Sequence, residues 1–506
     1  MRWFRPRDAA GDVVAGASTA LVLVPQSLAY AELAGVPAYY GLFAAAVAPL
    51  AASLLASSPY LSTGPAAMTS LLTAGALGGL VGTGFDPIAL ASLLALGVGI
   101  FRVVLGLCRG GALTFFLSPQ VLQGFAVGAG ILIVSSQIPT ALGTSGAGDG
   151  VLLDAMGALA SPARWRLDAL VLTALTVALV LGGRKIHALF PGVLVAAAGG
   201  ILYSVFGDYG GAQVGAVPDG ALELHLDLPW EAWSDLLLPA LVIAILGFAE
   251  PTAIARTYAV AERKPWNANR ELMAQGAANV ASGLVSGIPV GASFSRSALN
   301  RLAGARTRFS GAVAGAIALG FLFFASMIEP LPRPVLAAII IAAAVGLLRF
   351  GRLLALWRYS RPQAGIAWVT FGLTLVTSPR IELAVLAGLI LSIAVHAWRE
   401  MRVRILISER DGELCLAPKG VLWFASAEKL QARFLDELAR HPTAERLVID
   451  LAGLGRIDYT GAVALREIGE RARAASLDVR FANAPPQTER ILGKVCPTLF
   501  DRDEAG

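Results

Sequence analysis

The chain has 506 residues, 56% apolar and 15% charged, with a formal net charge of +5 and a mean hydropathy of +0.67. Soluble domains run at roughly 25% charged residues, which excludes a soluble globular enzyme. The charge is uneven: residues 399–506 hold 17 basic and 17 acidic side chains, whereas residues 1–398 hold only 41 charged side chains. The chain therefore divides into a membrane domain, 1–398, and a short soluble domain, 403–506. The net positive charge belongs to membrane loops and is no nucleic-acid footprint. Cys108, Cys415 and Cys496 have no metal-ligand spacing and suggest neither a disulfide framework nor an oxidising compartment.

In chain order, the basic residues within 2–7 and the apolar run 9–31 imitate a signal peptide, but no cleavage site follows, so the run reads as a retained span. Fourteen apolar stretches are predicted: 10–33, 39–57, 64–81, 87–107, 114–138, 167–183, 188–206, 235–256, 268–286, 293–305, 311–328, 334–348, 364–378 and 381–398. Stretches 64–81 and 293–305 are too short or too polar at one end to cross alone. With the amino terminus inside, 18 of the 23 basic residues in the membrane part fall on the inner side, Arg184, Lys185, Arg263 and Lys264 among them. The outer loop 207–234 carries Asp208, Asp219, Glu223, Asp227 and Glu231 and no basic residue.

Fourteen spans divide into repeats of seven, about 1–206 and 235–398, and an odd number inverts the second. The two anomalous stretches are then the third span of each half, the pattern of a transporter whose discontinuous helices meet near the midplane. The first opens Thr63-Gly64-Pro65-Ala66, with Thr63 able to cap the helix. The second opens Ala292-Ser293-Phe294-Ser295-Arg296. Two such starts facing each other aim free amides and positive dipole ends at one point, which suits an anion; space-filling polar loops are the plainer reading. Arg296 supplies a fixed charge beside the anion or anchors the inner face as Arg301 does.

Glu250, followed by Pro251, sits mid-span, where a carboxylate costs on the order of 2.5–3.5 kcal/mol. Neutralised by a proton it suits proton coupling; the alternative is a fixed pair with Arg256 or Arg296. Gln26 and Tyr30, four residues apart, either line a polar cavity or bond between helices. Glu32, nearer the outer end, reads as solvated. The glycine-rich stretch 143–150 is an outer loop, the four histidines are scattered, and neither GxxxxGK[ST] nor HExxH occurs.

Val24-Pro25-Gln26-Ser27-Leu28-Ala29-Tyr30-Ala31, with Leu33-Ala34-Gly35-Val36-Pro37 and Tyr40-Gly41-Leu42-Phe43, resembles the first-span signature of the sulfate permease (SulP) family of anion transporters. Thr63-Gly64-Pro65 resembles its third-span motif; Asn269-Arg270-Glu271-Leu272, Asn279 and Ser293-Phe294-Ser295-Arg296-Ser297 resemble its ninth and tenth spans. The resemblance implies seven plus seven inverted spans forming a core and a gate domain with the uracil-transporter-like fold. It also implies a homodimer, a cytosolic STAS domain, and an anion site between the third and tenth half-helices lined by Gln26, Tyr30, Ser295 and Arg296. Family substrates include sulfate, bicarbonate, chloride, oxalate and C4-dicarboxylates. Sodium-coupled members carry a hydroxyl one turn after the Glu250 position, where this chain has Ile254, which counts against sodium.

In the soluble part, 403–408 and 414–424 alternate as strands around a turn at Asp411-Gly412, and Leu447-Val448-Ile449 reads as a buried strand. Asp458-Tyr459-Thr460-Gly461 then leads into an amphipathic helix. This resembles a STAS module, a small α/β domain, in which the resemblance makes Thr460 a possible regulatory phosphorylation site, although helix capping is the simpler role.

The reading is thus a non-enzymatic, multi-pass α-helical transporter of the inner (plasma) membrane with cytoplasmic amino terminus and STAS domain. It moves a small carboxylate, dicarboxylate or inorganic oxyanion with a proton, needs no cofactor or metal, and sits in the bilayer as a homodimer. An uncoupled channel or exchanger, a nucleobase transporter of the same fold and a regulator signalling through the STAS domain are the alternatives.

Overall fold

The computed structural model describes residues 6–80, 82–115, 118–146, 148, 150–187, 189–217, 222, 224, 226–400, 404–410 and 412–497. Asp219, Glu223 and Asp411, named above, lie outside the described residues, as do Arg2 and Arg5 of the basic start, His225 of the four histidines, and residues 401–403 and 498–506 of the soluble part. The chain forms two compact units, Met1–Leu389 and Ile390–Gly506.

In the first half the helices are α1 (Pro6–Ala34), α2 (Tyr39–Leu55), α3 (Ala67–Gly78), α4 (Pro87–Leu107), α5 (Pro119–Ala141), α6 (Val151–Leu159), α7 (Leu167–Val177), α8 (Gly183–Ile186) and α9 (Gly192–Phe206). A π-helical turn, Ala178–Gly182, joins α7 to α8. The second half holds α10 (Trp233–Ala261), α11 (Ala268–Leu284), α12 (Phe294–Leu302), α13 (Phe309–Phe321), α14 (Arg333–Ala344), α15 (Phe350–Tyr359), α16 (Arg361–Val376) and α17 (Ile381–Glu400). Each predicted stretch holds a helix, and among the described residues seven helices are long and apolar enough to cross a membrane. Helices α6 and α15 were not expected. Both are short, and α15 is amphipathic with most of its surface exposed, so neither gives the hydropathy signal of a span.

The inverted repeat is visible in which helices touch. Exchanging α1, α2, α3, α4, α5 and α7 for α10, α11, α12, α13, α14 and α16 turns the α4–α11 contact into α13–α2. The same exchange turns α10–α4 into α1–α13, α10–α3 into α1–α12, and α16–α5 into α7–α14; all eight contacts are present. One bundle, the core, is built of α1–α4 with α10–α13, and the other, the gate, of α5, α7, α14 and α16.

Helix α4 meets α11 through small residues seven apart. A Cβ on Gly99, Gly106 or Gly283 would strike the backbone at Gly276, Asn269 and Ser92 respectively, so Ser92, Gly99 and Gly106 run antiparallel to Gly283, Gly276 and Asn269. Such stripes let backbones approach where lipid offers no hydrophobic drive. At the start of α4, Asp86 caps the amides of Ile88 and Ala89, with Pro87 in the first turn.

The second unit contains β3 (Arg404–Arg410), β4 (Glu413–Leu422), α18 (Phe424–Arg440), β5 (Arg446–Asp450), β6 (Leu454–Ile457), α19 (Tyr459–Ala474), β7 (Asp478–Ala482) and α20 (Pro486–Val495). The sheet runs β3-β4-β5-β7, with β6 paired to β4; β3 is antiparallel to β4 and the other pairings are parallel. Its core includes Leu414, Leu416, Phe434, Leu447, Ile449, Leu465 and Ile468. The α19 cap is Asp458, whose carboxylate accepts from Gly461 N at 2.7 Å; Thr460 is exposed in the first turn and does not cap. Asp458 has the extended backbone of a cap position (φ −100°), whereas Thr460 is already inside the helix.

Candidate functional site

Two strands of two residues, β1 (Thr63–Gly64) and β2 (Gly291–Ala292), pair antiparallel and bring the starts of α3 and α12 together. Ser293 N donates to Ser62 O at 3.3 Å and Ser62 N to Ser297 Oγ at 3.0 Å, extending the contact on both sides. Neither helix carries a side-chain cap: the cap positions are Ala66 and Ser293. No residue at a cap position therefore covers the first-turn amides of either helix. Thr63, expected to cap α3, instead accepts from Gln275 Nε2 at 2.8 Å, and Ser293 Oγ lies 3.2 Å from Ser295 Oγ.

Arg296 is fully buried behind this cradle. Its guanidinium donates to Gln26 Oε1 at 3.1 Å, Pro65 O at 2.8 Å and Ser62 Oγ at 3.4 Å, so one side chain of α12 binds α1 and the chain leading into α3. Gly64, at φ +154°, brings its backbone close to that guanidinium and to Leu23. Gln26 and Tyr30 are both 3% exposed; Gln26 meets the arginine. Ala66 and Ala292 are buried, Ser295 is half-buried and Phe294 is exposed.

Glu250, mid-way along α10, accepts from Phe294 N, the first amide of α12, at 3.3 Å. The structure thus gathers Gln26, Thr63, Gly64, Pro65, Ala66, Glu250, Ala292, Ser293, Phe294, Ser295 and Arg296 at one place, with Thr460 in the other unit. Asn279 supports the cradle from α11: its Oδ1 accepts from Val290 N at 2.9 Å and its Nδ2 donates to Val290 O and Gln275 O. Asn279→Leu strands a buried amide and is expected to cost about 1–3 kcal/mol, read as a lower thermal unfolding midpoint of the purified protein. An unchanged midpoint would remove Asn279 from the support.

Two other carboxylates of the core are committed elsewhere. Glu271 accepts from Ser57 N and Ser58 N, both at 2.9 Å. Beyond the end of α10, burial opposes ionisation of Glu262, but bonds from Lys264, Tyr60 and Arg301 hold its carboxyl at about 2. Those bonds favour its ionised form, which makes it a poor proton carrier. Glu32, expected to be solvated, pairs with Arg333 at 3.4 Å and its side chain is 18% exposed.

Sequence reasoning missed Gln275 and, more importantly, Arg102. The Arg102 side chain, on α4, is fully buried and donates to Ala244 O at 3.1 Å, Ile243 O at 3.1 Å and Val290 O at 2.9 Å. A lone arginine within the apolar stretch 87–107 was the available signal.

A helical membrane bundle of interlocked inverted halves, with two broken helices meeting over a buried arginine, defines a multi-pass membrane protein of the transporter class. Residues 10–370 match the sulfate permease family and residues 404–495 the STAS domain. The chain belongs to the sulfate permease family. It is 33% identical over 410 residues to the chloroplastic sulfate transporter 4.1 of Arabidopsis thaliana, covering 78% of this chain and 59% of that protein's own length. It is also 33% identical over 408 residues to a probable sulfate transporter of Mycobacterium tuberculosis, covering 79% and 71%. In fold it resembles murine solute carrier 26 family member A9, an anion transporter in the inward-facing state. The TM-score is 0.88 at 18% identity, over 96% of this chain and 87% of that one. The transmembrane domain of the cyanobacterial bicarbonate transporter BicA aligns with a TM-score of 0.66 at 26% identity, over 77% and 98%. These named relatives are transporters, not enzymes.

Proposed function

We propose that this protein is a secondary active transporter that carries a small oxyanion together with a proton by alternating access, the core moving against the gate. The observation that carries the reading is the bond from Phe294 N to Glu250. An ionised Glu250 occupies the first amide of α12 and places a negative charge where the anion must bind; at about 4 Å that repulsion is worth about 4 kcal/mol at an effective dielectric constant of 20. Protonation removes the charge and weakens the hold on the amide, so proton and anion favour each other's binding. Gln26, Thr63, Gly64, Pro65, Ala66, Ala292, Ser293, Ser295 and Arg296 then form the anion site, with Tyr30 beside it. Ile254 is buried against Leu61 and Ala292 and offers no oxygen one turn after Glu250, which supports proton rather than sodium coupling.

The substrate class is a small carboxylate, dicarboxylate, sulfate or bicarbonate. Ser295 also lines a cavity of about 160 Å³ whose other walls are largely apolar, among them Val22, Val180, Phe190 and Leu299, which supports a carboxylate with a short carbon skeleton. The distribution of loop charge supports insertion in the inner (plasma) membrane with the amino terminus and STAS domain in the cytoplasm; assembly as a homodimer and a regulatory role for the exposed Thr460 are carried over from the resemblance alone.

Closure of the gate at the other end relies on α3. A Cβ on Gly75 would run into the backbone of Pro379, and one on Gly78 would sit tightly against the Pro379 ring at 3.1 Å. Gly75→Val is expected to lower uptake at least about tenfold at normal expression, because an overpacked contact cannot close. Wild-type rates would detach this contact from transport.

Uptake of radiolabelled fumarate, succinate, sulfate and bicarbonate into sodium-free proteoliposomes, inside pH 7.5 with an acidic exterior, tests the reading. Accumulation of one of them only while the gradient lasts is the expected result. Gradient-independent chloride flux would make the protein a channel or exchanger.

A further inference from the structure

Arg102 is a buried cation with no carboxylate within ion-pair distance among the described residues. Desolvating such a charge is costly, so its bonds must be weighed. None of the three carbonyls needs it. Ile243 O and Ala244 O lie inside α10, where the amides four residues on are their regular partners, and Val290 O already accepts from Asn279 Nδ2 at 3.1 Å. A neutral side chain would leave these acceptors satisfied. What Arg102 adds is its charge.

That charge is aimed at the cradle. Val290 immediately precedes β2, and Arg102 Nη1 lies 2.9 Å from its carbonyl. Gly247 separates the guanidinium from the first turn of α3: a Cβ there would strike Arg102 Nη2 on one side and sit 3.1 Å from Thr69 Cγ2 on the other. Gly291, on β2, faces the same Thr69 methyl at 3.2 Å. The guanidinium therefore lies behind the point where both broken helices begin, on the α4 side, as Arg296 does on the α1 side. Glu271 spends its charge on the Ser57 and Ser58 amides, and Glu250, whose carboxyl reaches from α10 to the first amide of α12, carries no charge in the protonated form that binds the anion.

We propose that Arg102 is a specificity-determining residue, a second buried positive charge that makes the anion site prefer doubly over singly charged anions of the same shape. This rests on the anion site proposed above. With Glu250 protonated, two uncompensated arginines flank the cradle and a divalent anion neutralises both, whereas a monovalent one leaves a charge buried. At about 10 Å and an effective dielectric constant near 20, one extra unit of ligand charge corresponds to about tenfold in relative affinity.

The test measures binding to the full-length protein in lipid nanodiscs at pH 6 with two matched pairs: sulfate against methyl sulfate, and oxalate against oxamate. The expected result is tighter binding of the divalent member in each pair that binds. Arg102→Gln should cut that ratio about tenfold, while Arg102→Lys, which keeps the charge and gives up the fork of donors, should retain most of it. A wild-type protein without divalent preference overturns the proposal whether or not the variants fold. An unchanged ratio in Arg102→Gln, or equal loss in both variants, overturns it too, leaving Arg102 a structural clamp. Binding of none of the four anions overturns the anion site itself, a separate outcome.

Discussion

Glu250→Gln is expected to abolish accumulation driven by a pH gradient while leaving the anion able to cross. The amide oxygen of glutamine can still accept from Phe294 N, so the cradle keeps its shape, but the residue no longer changes charge. In a one-to-one symport each pH unit of gradient sustains up to about tenfold accumulation, since one unit corresponds to 1.36 kcal/mol. The variant should show an accumulation ratio near one at every exterior pH, with equilibrative flux that no longer rises on acidification. The sign follows from the site: the protonated carboxyl is the anion-binding form, so wild-type uptake falls as the exterior pH rises. Gradient-dependent accumulation that survived in Glu250→Gln would move the proton to another group.

Arg296→Met should have the second large effect. The substitution removes a buried charge beside the anion and strands Gln26 Oε1, Pro65 O and Ser62 Oγ. Loss of the partner from several buried acceptors costs at least about 3 kcal/mol, so unfolding should come at a clearly lower temperature and uptake should drop more than about a hundredfold, equivalent to about 2.8 kcal/mol. Arg296→Lys keeps the charge but cannot serve three acceptors in a fork, and should fall between. Near-normal uptake by Arg296→Met would remove the arginine from both roles. The thermal measurement separates them, since a purely electrostatic residue would leave the unfolding temperature nearly unchanged.

How much of this was readable beforehand depended on the range of the interaction. Fourteen helices could be placed because a bilayer imposes a length on apolar stretches, and α3 and α12 stood out as too short to obey it. Glu250 and Arg296 stood out because charge inside an apolar stretch is expensive. Partner choice was not legible. Thr63 has the sequence of a cap, yet Gln275, 212 residues away, donates to its hydroxyl. Thr460 and Asp458 both stand in the sequence where a helix begins, and only the backbone puts Asp458 at the cap and Thr460 in the first turn. Glu32 looks solvated until α14 brings Arg333 beside it. The inverted repeat was legible from the number and position of the spans but not from likeness between the halves, because the paired contacts use different residues: small residues on α4 match small residues on α11, while the corresponding α2–α13 contact uses Gly315 against Ala46 and Leu50.

The central claim is that the anion brings a proton in with it. The most direct measurement is the internal pH of proteoliposomes loaded with a pH-sensitive dye, with equal pH on both sides and no sodium, after an inward gradient of the transported anion is applied. Acidification of the interior, dependent on the anion and absent in Glu250→Gln, is the expected result. Anion influx at constant or rising internal pH would contradict coupled symport.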